Sequence, residues 1–98
     1  METKILKVMA QTEPVHVPSK KQENGQLAKC YIRLRELGGD YENEYYCVIL
    51  GDQALHMFDV GCCVCAALRF QTHEYQGQVY QEIIVADIVE LPQQSLYT

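Results

Sequence analysis

The stretch CCVCAALRFQTHEYQGQVYQEIIVADIVE, residues 62–90, decides the fold. Its side chains alternate with period two, the signature of a half-buried strand. Val64, Ala66, Leu68, Phe70 and Thr72 fall on one face. Cys63, Cys65, Ala67, Arg69, Gln71 and His73 fall on the other. Tyr75-Gln76-Gly77 reverses the chain, the glycine supplying a positive φ without steric cost, and a second strand runs from Gln78 to about Glu90. A long hairpin of this kind belongs to a β protein, and its aromatic and basic side chains stand where a partner could meet them.

Upstream, the same period recurs. Lys4 to Ala10 reads as a first strand that ends at QTEP, where Pro14 interrupts it. PSKKQENGQ, residues 18–26, is a polar loop in which Lys20 and Lys21 add positive charge. In LAKCYIRLREL, Ala28, Cys30, Ile32 and Leu34 share one face, while Lys29, Tyr31, Arg33 and Arg35 share the other. YYCVIL, residues 45–50, is rich in strand formers, with Tyr45 and Tyr46 on opposite faces and Tyr45 expected to be the more buried. GDQALHMFDVG, residues 51–61, breaks the alternation and allows about two turns of helix before Gly61. LPQQSLYT closes the chain as a short polar tail.

Three strands, a short helix and two more strands make the layout of an OB-fold. The expected fold is therefore all-β, a five-stranded OB-fold barrel with a short helix between strands 3 and 4. An SH3-like barrel is the competitor, and the position of the helix disfavours it. Residues 1–91 form the single domain and 92–98 the tail; 98 residues leave no room for a second lobe around a deep cleft.

Composition narrows the function classes. The chain is 48% hydrophobic and 21% charged, with a formal net charge of −5. No apolar run approaches the roughly 20 residues that cross a bilayer, and METKILKVMAQTEP lacks the pattern of a signal peptide, so a cytoplasmic location and no membrane partner are expected. Five cysteines, Cys30, Cys47, Cys62, Cys63 and Cys65, make a poor disulfide framework. Cys62 and Cys65 have the spacing of half a zinc site, but a second knuckle is missing and a strand points them to opposite faces, so no metal or other cofactor is expected. His16, His56 and His73 lie in separate segments without a nucleophile motif or a phosphate loop; the chain is not read as an enzyme.

The order of motifs resembles the bacterial single-stranded DNA-binding protein family. There a third strand ends in a V-V-L-F-G-like run, and K-G-x-x-V-x-I-x-G-x-L-R-T-x-x-W follows the helix. CVILG stands at the first run and VGCCVCAALRFQTHEY at the second, with Thr72 at the threonine and Tyr75 at the stacking tryptophan. GQVYQEIIVADIVEL is similar to the last strand, ENGQLAKCYIRLRE to the loop and second strand, and TKILKV to the first. The chain is also similar to the small dimeric primosomal replication proteins built on the same barrel. It departs from the family where Gln71, His73 and Glu74 replace basic residues, where the loop between the last two strands is a tight turn, and where the helix segment is short. It has no tryptophan and ends at SLYT without an acidic-tipped extension, so the recruitment of repair and replication proteins by that extension is not expected.

The resemblance implies binding of single-stranded DNA, with RNA as the alternative, by a homodimer or homotetramer. Such binding takes aromatic faces that stack on bases and cations that follow the phosphates. The residues suited to it are Tyr31, Tyr46 and Tyr75 for stacking and Lys29, Arg33, Arg35 and Arg69 for phosphate, with His73 on the same face. Glu36, Glu44 and Glu74 are close enough in sequence to blunt that charge. Cys63, Cys65 and Ala67 would suit a subunit contact. The rival expectation is a protein-interaction module that kept the barrel and lost the nucleic acid, which the net acidic charge favours.

Overall fold

The computed structural model describes residues 1–20, 25–39 and 41–92. Its elements are β1 (Glu2–Gln11), β2 (Val15–Pro18), β3 (Gln26–Glu36), β4 (Glu44–Leu50), a 3₁₀ turn (Gly51–Leu55), β5 (Cys63–Tyr75) and β6 (Gln78–Glu90). Hydrogen bonding closes a ring of five strands in the order β1-β3-β4-β6-β5-β1. Only β4 and β6 run parallel; the other neighbours are antiparallel. This is the OB-fold barrel.

Closure depends on β1 serving two neighbours. Its first part, Glu2 to Lys7, pairs with β5, and Leu6 to Gln11 pairs with β3. The register slips by one residue at Met9, and again on β6 at Ala86 between Val85 and Asp87. Such bulges add local twist, which lets a sheet this small curl onto itself.

Alternation puts the core inside the ring. Ala28, Cys30, Ile32 and Leu34 of β3 are buried, as are Cys47 and Ile49 of β4 and Val64, Ala66 and Leu68 of β5, with Leu6, Val8, Val85 and Ile88 completing the interior. None of the buried described residues is polar or charged. The barrel has a stopper at each end. At one, Gln11 donates from Nε2 to the His56 carbonyl and accepts the Phe58 N–H at Oε1, both at 2.9 Å, tying β1 to the segment that follows the 3₁₀ turn. At the other, the Tyr45 hydroxyl donates to Glu36 Oε2 at 2.6 Å, Lys4 Nζ lies 3.5 Å from the same oxygen, and the Phe70 ring meets Tyr45 edge-on.

Two sequence expectations need correction in detail. The chain resumes pairing after Pro14: β2 adds a short sixth strand beside Gln26–Lys29, outside the ring of five that the sequence leads one to expect. The helix is one 3₁₀ turn, because only Ala54 within it is buried and Leu55 and Met57 face solvent, leaving no apolar stripe to fix a second turn. Lys21 and residues 93–98 of the tail lie outside the described residues.

β5 and β6 outrun the barrel. β1 accompanies β5 only as far as Leu68, and β4 meets β6 only at Ile83 and Ile84. Beyond those points residues 69–82 continue as a two-stranded arm, mostly exposed, capped by Gln76 and Gly77 with φ of 52° and 79°. Two successive positive φ angles are the mark of the tight hairpin turn whose twist matches the strands.

Candidate nucleic-acid interface

The side chains of β3, β4, β6 and β5 that point away from the barrel interior share one face of the sheet, on which Val48 is buried, and strand register fixes its rows. Tyr31 stands opposite Val48, Val48 opposite Ile84, and Ile84 opposite Arg69. One row further toward the arm, Arg33 stands opposite Tyr46 and Glu82 opposite Gln71. Beyond it, Arg35 faces Glu44 and His73 faces Tyr80. Tyr75 shares the arm face of Arg69 and His73, at the tip. All the side chains singled out for base and phosphate contact therefore project from the same surface.

At its centre is an aromatic column. The Tyr31 and Tyr46 rings stack with centroids 5.3 Å apart and planes 8° from parallel. Lys29 Nζ lies 5.3 Å from the Tyr31 centroid, in cation–π range. Lys29 and Tyr46 approach Tyr31 from opposite sides along β3, since Tyr46 stands across from Arg33. Tyr31 is thus half-buried within the column, while Tyr46 is 62% exposed at its open end. Thr12 steadies the column from behind: its N–H donates to the Tyr31 carbonyl and its Oγ1 accepts the Tyr31 N–H, both at 2.9 Å.

Charge on the surface is partly compensated. Glu44 accepts from Arg35 Nε and Nη2 at 2.9 and 2.6 Å and lies 3.5 Å from Arg33 Nε. Glu82 Oε1 is 2.7 Å from His73 Nε2. Lys29 and Arg69 have no ion-pair partner among the described residues. Of the three acids expected to blunt the face, only Glu44 does. Glu36 is turned to the barrel mouth with Lys4 and Tyr45, and Glu74 lies on the opposite face of the arm from His73. Hydrogen bonding from Tyr45, helped by Lys4, holds the Glu36 carboxyl below the usual range, and the same bond raises the Tyr45 hydroxyl.

Sequence reasoning missed Tyr80, Glu82 and Thr12. Tyr80 is 51% exposed opposite His73 and follows from the alternation of β6, had that strand been read face by face. Glu82 and Thr12 have no local signal; their roles appear only once register is known. Cys63 and Cys65 point outward on another part of the barrel, where Ile5 and Val89 flank Cys65, and Cys62 points inward. A concavity of about 690 Å³ lies at the far end of β6 beside Asp59 and Glu90 and is lined by none of the cations above.

A scan against protein-family models finds no match, and a search of curated proteins finds none either.

Proposed function

We propose that the chain binds single-stranded nucleic acid, DNA first, across the outer surface of β3, β4, β6 and β5, without catalysis. The observation that carries this reading is the Lys29–Tyr31–Tyr46 column, which ends in an exposed tyrosine face. A base stacked on Tyr46 extends the column, with Tyr31 supporting it from below and Arg33 beside it. Base–aromatic stacking contributes about 1–3 kcal/mol per base and is indifferent to sequence. The row Tyr31–Val48–Ile84–Arg69, in which Val48 is buried beneath its neighbours, leads across the barrel toward the arm, where His73, Tyr75 and Tyr80 offer further contacts. An extended strand needs such a face and no deep cavity. The resemblance to the single-stranded DNA-binding family supports the same assignment, as does the OB-fold, which often uses this side of the barrel.

Glu44 sets the electrostatic strength. With Arg33 and Arg35 held by it, Lys29 and Arg69 neutralise about two phosphates, for a log–log salt slope of roughly −1.5; release of the arginines gives about four and roughly −3. Micromolar affinity per protomer is expected, with several protomers on one strand raising it.

The test is fluorescence anisotropy of a labelled oligo-dT of about 35 nucleotides at low and moderate salt, with a duplex control. We expect saturable, salt-weakened binding that prefers the single strand and drops about tenfold or more in Tyr46→Ala. Tyr75→Ala loses less, because the arm tip makes the last contact. Glu44→Gln tightens binding and steepens the salt slope. Absence of binding at tens of micromolar protein in low salt sinks the reading in favour of a protein-interaction module.

A further inference from the structure

The arm leaves one strand edge without a neighbour. Beyond Leu68, β5 has β6 on one side and nothing on the other among the described residues. A two-stranded hairpin is marginal in water by itself, and an open strand edge is a template for another strand. Neither a proline nor a bulge interrupts residues 69–75 to guard that edge.

The backbone phase of the edge is fixed by the turn. Tyr75 and Gln78 close a two-residue loop and exchange hydrogen bonds, so the next such pairs are His73 with Tyr80 and Gln71 with Glu82. The N–H and C=O groups of Phe70, Thr72 and Glu74 therefore point away from β6. None of them has a backbone partner outside the ladders among the described residues.

We propose that this edge pairs with the same edge of a second copy, antiparallel about a two-fold axis through Thr72. Thr72 then faces Thr72 of the other chain, Phe70 faces its Glu74, Gln71 its His73 and Arg69 its Tyr75. The free groups match in phase: the pairs Phe70–Glu74, Thr72–Thr72 and Glu74–Phe70 each exchange two backbone hydrogen bonds. On the face of Arg69 and His73 the side chains match as well, as does Thr72 with itself on the other face, where Phe70 opposite Glu74 adds only backbone bonds. Threonine opposite threonine and glutamine opposite histidine are hydrogen-bonding pairs, arginine opposite tyrosine is a cation–π pair, and no like charges meet. Self-complementarity of this kind is what a two-fold contact requires and what selects a second copy over an unrelated strand. The new ladder ends at the Arg69–Tyr75 pair, because Glu2 of β1 already occupies the position opposite Leu68 where the turn of the second arm would come.

Directly opposed residues in such a pair share a face. The Arg69, Gln71, His73 and Tyr75 side chains of both copies thus lie on one side of a four-stranded ribbon. The pairing itself does not depend on nucleic-acid binding, and its test needs none.

Sedimentation or light scattering across about 1 to 300 µM reads the association; a contact this small gives a dimer that dissociates in the micromolar range. Thr72→Pro removes an N–H from the proposed ladder without touching the bonds to β6, so it should be monomeric throughout with an unchanged circular dichroism spectrum. Amide hydrogen exchange of the unmodified protein gives an independent readout. The Phe70, Thr72 and Glu74 amides should be protected at high concentration and lose that protection on dilution, while the barrel amides stay unchanged. A monomer at about 300 µM, a dimer that survives Thr72→Pro, or exchange at these three amides that ignores concentration overturns the pairing.

Discussion

The barrel and the arm are made of the same two strands and behave differently. From Val64 to Leu68, β5 buries every second residue completely; from Arg69 to Tyr75 it keeps the same alternation and buries none. The difference lies in the neighbours. Inside the ring, β1 and β4 flank the hairpin, and β3 closes the interior over it; past Leu68 β1 is gone, β4 reaches only Ile83 and Ile84, and from Gln71 to Glu82 the hairpin has no other strand beside it among the described residues. Period-two patterning says which way a side chain points. It does not say whether anything stands there to cover it.

Substitutions at the junction should expose that contrast most strongly. Leu68→Ala empties a fully buried site and should destabilise the fold by about 2–5 kcal/mol in urea unfolding, whereas Val79→Ala on the arm should change it by under about 0.5 kcal/mol. A comparable loss at both positions would mean that the arm is folded into the core.

Gln11→Ala should come next, at about 1–3 kcal/mol, because its side chain holds the His56 carbonyl and the Phe58 N–H at the closed end of the barrel. The loss should appear as faster hydrogen exchange in residues 56–62 with the arm unaffected.

Gly77→Ala sharpens the other side of the comparison. No atom of the described residues obstructs an added methyl group, so the penalty is the positive φ alone, about 1 kcal/mol. It should loosen the Tyr75 and Gln78 amides in exchange experiments and leave the barrel's unfolding midpoint nearly fixed.

The smallest effect concerns pH. Glu36 has a depressed folded pKa, so its contribution is present above the unfolded value of about 4.3 and is lost as pH falls through the folded one. Glu36→Gln should flatten the acid limb of the stability–pH curve below about pH 4, and an unchanged limb would show that the Tyr45–Glu36–Lys4 contact at the barrel mouth adds nothing. Thiol labelling divides the cysteines along the same inside–outside line. Burial pushes the Cys47 thiol up to about 12, so Cys63 and Cys65 on the outer surface should react first at mild pH.

Much of this was legible in the sequence. The faces of β3 and β5 followed from alternation, and the glycine turn placed the hairpin within a residue. Tyr45 inside and Tyr46 outside followed from parity alone. What was not legible depends on register between distant strands. Alternation puts Phe70 on the face of Val64, Ala66 and Leu68, and it does turn that way, but it lies past the barrel rim and is 40% exposed. β2 was hidden because Pro14 reads as an end and four residues carry no period. The restraint of Arg33 and Arg35 by Glu44 was foreseen as a nearby charge, while the hold of Glu82 on His73 needed the pairing across the arm. Tyr31 and Tyr46 looked equivalent as separate platforms; stacking makes one the support of the other.

The most direct measurement of the central proposal is a ¹⁵N-labelled amide spectrum titrated with unlabelled oligo-dT. We expect progressive shifts at Tyr31, Arg33, Tyr46, Val48, Ile84 and Arg69, extending weakly to His73 and Tyr75, with Cys63, Cys65 and the 59–62 turn unmoved. Shifts confined to the turn and the far end of β6, or no shifts at all, would contradict it.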